Sequence, residues 1–329
     1  METLSAASSA LLGYAMAETT IAAATAAGSW VGRGDEQAAE EAAASAMRHA
    51  LNLVSLSGRV IVGEAAIPIL NVGEAVGAGA GPELDIALEA LEGTTLTAKA
   101  MPNALAVIAA APRGCLLQVP DLYMEKLAIG PGFDRGVVDL DAGAGENAVR
   151  LARAKGVDVR DITACVLDRP RHEKIIAELR AVGARINLIP DGDVAGAIAT
   201  ASPETGIDMY VGQGKAPEGV LAAAALRCVG GQMQARFSFR NEAERFQAQR
   251  SGLKDAGRRF ELEDLVSGHV IFAATGVTKG ALLDGVERRP GGWLTHTMMM
   301  SSSDGVVRHI RTLSPAAAAT MTPQPSAPR

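Results

Sequence analysis

Between residues 146 and 228 short apolar runs alternate with helical repeats, and this alternation restricts the fold more than any other feature of the chain. Residues 146–155 carry helical periodicity, 162–167 read as a strand, 171–182 as a helix and 185–189 as a strand. A short helix follows, then a strand over 207–211 and the glycine turn Gly212-Gln213-Gly214-Lys215. A helix over 217–228 comes next, with Pro217 suited to its first turn. Strands joined in this way predict a parallel, wound α/β unit.

The flanking segments extend the pattern. Residues 6–28 predict an alanine-rich helix. Residues 36–54 predict a second, with Ala39, Ala43, Met47, Ala50, Leu51 and Val54 at three- and four-residue spacing. Strands are expected over 59–64, 85–89, 104–110, 269–274 and 293–300, and 114–119 is expected to pair with a neighbour. Residues 236–259 read as a charged helical stretch with a solvated face, and 315–329 as a disordered tail. There is no internal repeat. The length of 329 residues and a 48% hydrophobic content suffice for a large core and two domains. The expected division is an N-terminal α/β subdomain over 1–135, a C-terminal one over 136–314, and the tail.

Charge and residue usage narrow the function. Thirty-one basic against 37 acidic residues leave a net charge of −6, which argues against nucleic-acid binding. With 3% aromatic residues, a base-stacking platform is not expected either. Cys115, Cys165 and Cys228 lack metal or disulfide spacing and read as buried free thiols. The N-terminus lacks the basic region of a secretory signal, and the apolar stretch 11–27 is interrupted by Glu18 and several threonines. A cytoplasmic protein with no membrane partner is expected.

Acidic residues recur at strand ends and after turns: Asp35, Glu64, Asp85, Glu89, Glu92, Asp191, Asp193 and Glu218. Ligands of wound α/β folds bind beyond the carboxyl ends of strands. Carboxylates gathered there without Cys or His suit a hard divalent ion. Taken singly, each is as readily a solvated surface charge. Arg169-Pro170-Arg171-His172 places two cations near a strand end, suited to phosphate or to helix-start pairing with Asp168 and Glu173. The glycine turn at 212–215 is neither a Walker A loop nor a dinucleotide fingerprint. Five histidines without paired spacing do not suggest zinc.

Together these segments resemble one family over residues 10–314. The most specific pieces are Gly32-Arg33-Gly34-Asp35, Leu91-Glu92-Gly93-Thr94, Tyr123-Met124-Glu125-Lys126, Arg169-Pro170-Arg171-His172, Pro190-Asp191-Gly192-Asp193 and Ala216-Pro217-Glu218-Gly219. The chain is similar to class II fructose-1,6-bisphosphatases, the bacterial relatives of lithium-sensitive sugar and inositol phosphatases. The resemblance implies a layered αβαβα fold with the site between two α/β subdomains. It implies hydrolysis of the 1-phosphate of fructose 1,6-bisphosphate, or also of sedoheptulose 1,7-bisphosphate, with Mg²⁺ or Mn²⁺. It puts Glu40, Glu64, Glu89, Glu92 and Glu218 at metal positions, and Glu64, Glu92 and Thr94 at catalytic ones. Glu92, Gly93, Thr94, Tyr123, Arg169, Pro170, Arg171, Asp191, Gly192, Asp193 and Lys215 fall to the substrate. A homo-oligomer, dimer or tetramer, is implied as well.

Four departures from the family pattern bear on the chemistry. Glu40 and Glu89 stand where relatives carry Asp, each with one extra methylene. The segment after Glu64 is about three residues short and lacks an acidic stretch. Lys215 stands where relatives carry Gly, three residues before Glu218. Two readings follow: a bisphosphatase with altered metal preference, or a weak or inactive relative in which Lys215 replaces metal charge. Lys215 Nζ within hydrogen-bond reach of Glu92 or Glu218 would favour the second.

Overall fold

A computed structural model describes residues 6–315 except Lys254 and Ala256. The tail expected to be disordered therefore lies, beyond Pro315, outside the described residues.

The chain opens with α1 (Ala6–Gly28) and α2 (Glu36–Leu51). Asp35 caps α2 by accepting the Ala38 N–H at 2.9 Å, while Arg48 and His49 meet the negative end of its dipole. Four strands follow: β1 (Ser57–Val62), β2 (Ala75–Val76), β3 (Glu83–Glu92) and β4 (Leu105–Pro112), with α3 (Thr94–Ala98) between the last two. Next come β5 (Tyr123–Ile129), α4 (Ala144–Lys155), β6 (Thr163–Leu167), α5 (Glu173–Val182), β7 (Arg185–Ile189) and α6 (Asp193–Ala199). The chain continues through β8 (Met209–Lys215), α7 (Ala216–Val229), β9 (Gln232–Ser238), α8 (Glu242–Arg250), β10 (Phe260–Glu261) and α9 (Leu262–Leu265). It finishes with β11 (Ile271–Gly276), β12 (Glu287–Arg289), β13 (Gly292–Ser301) and β14 (Val307–Pro315).

Two sheets form. The first runs β12-β13-β11-β4-β3-β1-β2, with β14 on β13; the second runs β10-β9-β5-β8-β6-β7. Side-chain alternation explains the layering. In β4, Ala106, Ile108 and Ala110 face α1 and α2, while Leu105, Val107 and Ala109 face the interior between the sheets. Helix α7 lies in that interior and touches both sheets. Beyond the second sheet, α4 and α5 cover Leu127, Ile129, Ala164, Val166, Met209 and Val211. The order is helices, sheet, helices, sheet, helices, the αβαβα layering expected. Alanine makes it possible: the α7 residues Ala222, Ala223, Ala224 and Ala225 are all essentially buried and let both sheets approach one helix.

Three expectations need correction. The pairing is mostly antiparallel; among the described residues only β1 with β3, and β6 with β7 and β8, run parallel. Residues 212–215 are not a turn but the end of β8, paired with β5 from Lys215↔Tyr123 to Met209↔Ile129. The charged stretch 236–259 is not one helix: it comprises the end of β9, then α8 and a turn. The chain does not visit the two sheets in turn: strands β11 to β14 return to the first sheet, so the segment holding β5 to β10 is inserted between β4 and β11. The three cysteines are free and buried, as expected. Among the described residues no helix is long and apolar enough to cross a membrane.

Candidate active site

Two similar chain reversals build the site. At the end of β3, Glu92 is followed by Gly93 at φ 86° and then by α3. At the end of β7, Asp191 is followed by Gly192 at φ 84° and then by α6. Both turns need the left-handed backbone that glycine adopts without cost. They meet across the two sheets: Glu92 Oε1 accepts the N–H of Val194, in the first turn of α6, at 2.7 Å. One carboxylate of the first sheet thereby fixes a helix of the inserted unit.

Around Glu92 the other acids gather. Glu64, just past β1, is buried and accepts the Ala90 N–H at 2.7 Å. Burial pushes its carboxyl up to about 7, against the lowering pull of that hydrogen bond. Glu218, in the first turn of α7, is also pushed up to about 7, by burial and then by the nearby charge of Asp193. Glu89 and Glu92 lie well above the ordinary carboxylate range. For Glu89 burial comes first and the negative charge of Glu218 second; for Glu92 burial comes first and Asp193 second. Glu40, on α2, is raised by burial and within electrostatic reach of Glu64. The fold thus brings together all five glutamates expected at metal positions. Asp35 and Asp85 stay outside: the first caps α2, and the second accepts the Gly114 N–H at 2.6 Å.

The residues present fit a divalent cation. Glu92 Oε2 and Glu218 Oε2 are buried without a hydrogen-bond partner, a costly state for carboxylate oxygens. The donors are hard oxygens, and their mutual repulsion is what a cation would relieve. Among the described residues, no three of these side chains stand close enough together to hold an ion by themselves.

A cation the sequence reading passed over stands behind the cluster. Lys126, on β5, is only 1% exposed and donates to Asp193 Oδ2 at 2.6 Å. Its charge also holds Glu218 lower than burial alone would. The signal was present: a lysine in the otherwise apolar inner face of a strand, beside Met124 and Ala128. Gly214 gives the pair its room, since a Cβ there would lie 2.0 Å from Asp193 Oδ2.

The opposite wall is basic. Arg169 pairs with Asp191 at 3.8 Å. Pro170 opens a single 3₁₀ turn, within which Arg171 Nε and Nη2 donate to Gln213 O at 3.1 and 2.9 Å. His172 Nε2 accepts the Gln213 N–H at 2.8 Å, which leaves Nδ1–H to donate to Leu167 O at 2.8 Å. Strand β6 pairs with β8 only at Met209 and Tyr210, so these two side chains satisfy the backbone of β8 beyond that point. His172 is therefore a buried, neutral tie, its pKa lowered chiefly by burial. The Arg171 guanidinium lies over the ring of Tyr123, 5.2 Å from its centroid. Thr94 opens α3 beside Gly93 and is partly exposed.

Lys215 ends β8 at this mouth. Its ion pair is with Asp121 at 3.4 Å, both side chains 46% exposed, and not with Glu92 or Glu218. Its charge still reaches Glu40, Glu64 and Glu218 and lowers each. The shortened segment after Glu64 closes tightly: Glu64 N–H donates to Leu70 O at 3.1 Å, and Leu70 adopts φ 58°, unusual for a branched residue.

The chain matches the family model described as bacterial fructose-1,6-bisphosphatase, glpX-encoded, over residues 10–314. It is 39% identical over 319 aligned residues to the protein named fructose-1,6-bisphosphatase 1 class 2 of Escherichia coli K12, covering 92% of this chain and 94% of the relative. Proteins named fructose-1,6-bisphosphatase class 2, from a second Escherichia coli strain and from Shigella flexneri, match at the same identity and coverage.

Proposed function

This chain belongs to the family of bacterial, glpX-encoded fructose-1,6-bisphosphatases, and from that premise we propose that the glutamate cluster and its basic wall act as one site hydrolysing the 1-phosphate of fructose 1,6-bisphosphate. The observation that carries this reading is the pairing of opposites: orphaned carboxylate oxygens of Glu92 and Glu218 on one side, and Arg169, Arg171 and Tyr123 on the other.

Members of this family are metal-dependent. Here Glu40, Glu64, Glu89, Glu92 and Glu218 would hold Mg²⁺ or Mn²⁺. When bound, such an ion supplies charge neutralisation at phosphoryl oxygens and a more acidic water. The chain's own groups do the rest. Glu64 and Glu92 stand at the proton-accepting positions. Thr94 and the turn at Gly93 place the scissile phosphate against Glu92. Arg169, Pro170 and Arg171, with Tyr123, hold the far phosphate, and Asp191, Gly192 and Asp193 hold the sugar hydroxyls. Asp193 keeps its direction through Lys126. Lys215 adds one positive charge at the mouth. The pairing of Lys215 with Asp121 leaves the carboxylates free for a metal, which goes against an inactive relative.

Action in the cytoplasm, as a dimer or tetramer, is part of the same proposal, as is use of sedoheptulose 1,7-bisphosphate. The test is phosphate release from each bisphosphate by the purified chain with Mg²⁺ or Mn²⁺. Metal-dependent turnover of fructose 1,6-bisphosphate is expected. Absence of turnover with either metal, together with calorimetric binding of the bisphosphate, would overturn the reading in favour of a binding protein.

A further inference from the structure

Tyr123 carries a second guanidinium. The Arg240 Cζ lies 5.7 Å from its ring centroid, besides the Arg171 Cζ at 5.2 Å. Tyr123 begins the middle strand of the inserted sheet, flanked in register by Lys215 of β8 and Ser238 of β9. Arg240 follows two residues after Ser238, in the segment before α8.

Arg240 is held as firmly as Arg171, by a different means. Glu244 Oε1 accepts from Arg240 Nε at 2.6 Å and Nη2 at 2.5 Å. Its other oxygen accepts the Arg240 backbone N–H at 2.8 Å. The Glu244 side chain is 9% exposed, whereas that of Arg240 is 72% exposed. Asn241 caps α8 by accepting the Glu244 N–H at 3.0 Å, which fixes the carboxylate's origin. Burying a carboxylate is costly unless it is paired. Here it is used to aim one exposed guanidinium, whose Nη1 side remains open beside Tyr123.

We propose that Arg240 is a specificity-determining residue, binding with Arg171 and Tyr123 the substrate phosphate remote from the scissile bond, and that Glu244 is its positioning residue. Two fixed guanidinium groups about one phenol ring suit a tetrahedral dianion, because each presents N–H donors in a planar fork. The site thereby selects sugars phosphorylated at both ends over sugars phosphorylated only at the reacting end. This inference rests on the bisphosphatase reading.

The test compares the full chain with Arg240→Met, Arg240→Lys and Glu244→Gln on fructose 1,6-bisphosphate and on fructose 1-phosphate. Losing one charge-assisted phosphate contact should lower the kcat/KM preference for the bisphosphate about 10- to 100-fold in Arg240→Met. The loss should lie in KM, with kcat on the bisphosphate changed less than about threefold. Arg240→Lys keeps the charge without the fork and should fall between. Glu244→Gln should shift KM the same way by a smaller factor. An unchanged preference in Arg240→Met overturns the proposal, as does an equal loss on both substrates, which a purely structural tie would give. If Arg240→Met fails to fold, an unchanged preference in Arg240→Lys overturns it. Calorimetric binding of fructose 6-phosphate separates the two readings. A wild type that binds it and loses affinity on Arg240→Met, yet hydrolyses nothing, would refute the hydrolytic function and leave the phosphate clamp standing.

Discussion

Gly214→Ala tests the arrangement behind the carboxylates. A Cβ at this position would lie 2.0 Å from Asp193 Oδ2 and 3.1 Å from Lys126 Nζ. Packed carbon and oxygen atoms stay more than roughly 3 Å apart, so the oxygen must retreat by about 1 Å. The surroundings resist. Gly214 is locked in register with Met124, and the Lys126 ammonium, 1% exposed, has Asp193 as its ion-pair partner at 2.6 Å. Retreat leaves a buried cation poorly compensated. Removing one partner of a buried pair costs about 3–5 kcal/mol, and straining it should cost about 2–4 kcal/mol. Urea denaturation followed by circular dichroism would measure this, with Gly212→Ala as control. A Cβ at Gly212 meets nothing nearer than 3.3 Å, at His172, and should cost less than half as much. A loss below about 1 kcal/mol for Gly214→Ala would show that Asp193 turns aside freely, and would refute the reasoning.

Other outcomes follow from the same geometry. Lys215→Gly removes a cation that acts on Glu40, Glu64 and Glu218, so Mn²⁺ should bind severalfold more tightly, read by electron paramagnetic resonance titration; unchanged affinity would show that this charge is not felt. Glu64 and Glu218 are raised from 4.5 to about 7, so their ionisation opposes folding. Their contribution to stability is full below pH 4.5 and is lost as pH rises through 7, on the order of 3 kcal/mol for each. Metal-free thermal melts should therefore fall across that window, and added Mn²⁺ should raise the melting temperature more at pH 8 than at pH 5.5; a metal-free stability that climbs with pH would contradict this. His172→Ala leaves Gln213 N–H and Leu167 O without their partner and should cost about 2–4 kcal/mol by denaturation. It should also weaken phosphate binding through Arg171, an effect separable from stability by calorimetry at low temperature.

Helix α1 was legible from its alanine-rich run, and α2, α4 and α5 because each has a one-sided apolar repeat or a cap the eye can find. The strand β5 was not, because Tyr123-Met124-Glu125-Lys126 mixes charge into a strand whose lysine faces inward. The end of β8 read as a turn because two glycines there serve close approach, to His172 and to Asp193, and not reversal. Antiparallel pairing escaped notice because strand order depends on long-range return. Nothing local near residue 271 announces that β11 goes back between β4 and β13. The acidic set of the site was legible from motif positions, whereas Lys126 and Arg240 act through partners 67 and four residues away.

The return of β11 also has a consequence for biosynthesis. As the chain emerges, β1 to β4 can pair early, but the free edge of β4 must wait for its neighbour until residue 276 has been made. The inserted segment has all its own strands by residue 261, while that edge is still open. An unpaired edge such as β4, apolar over 105–111, is a template for association with other chains. Synthesis halted between residues 262 and 276 would therefore leave an aggregation-prone half sheet, and the strand that covers its open edge is among the last to be made.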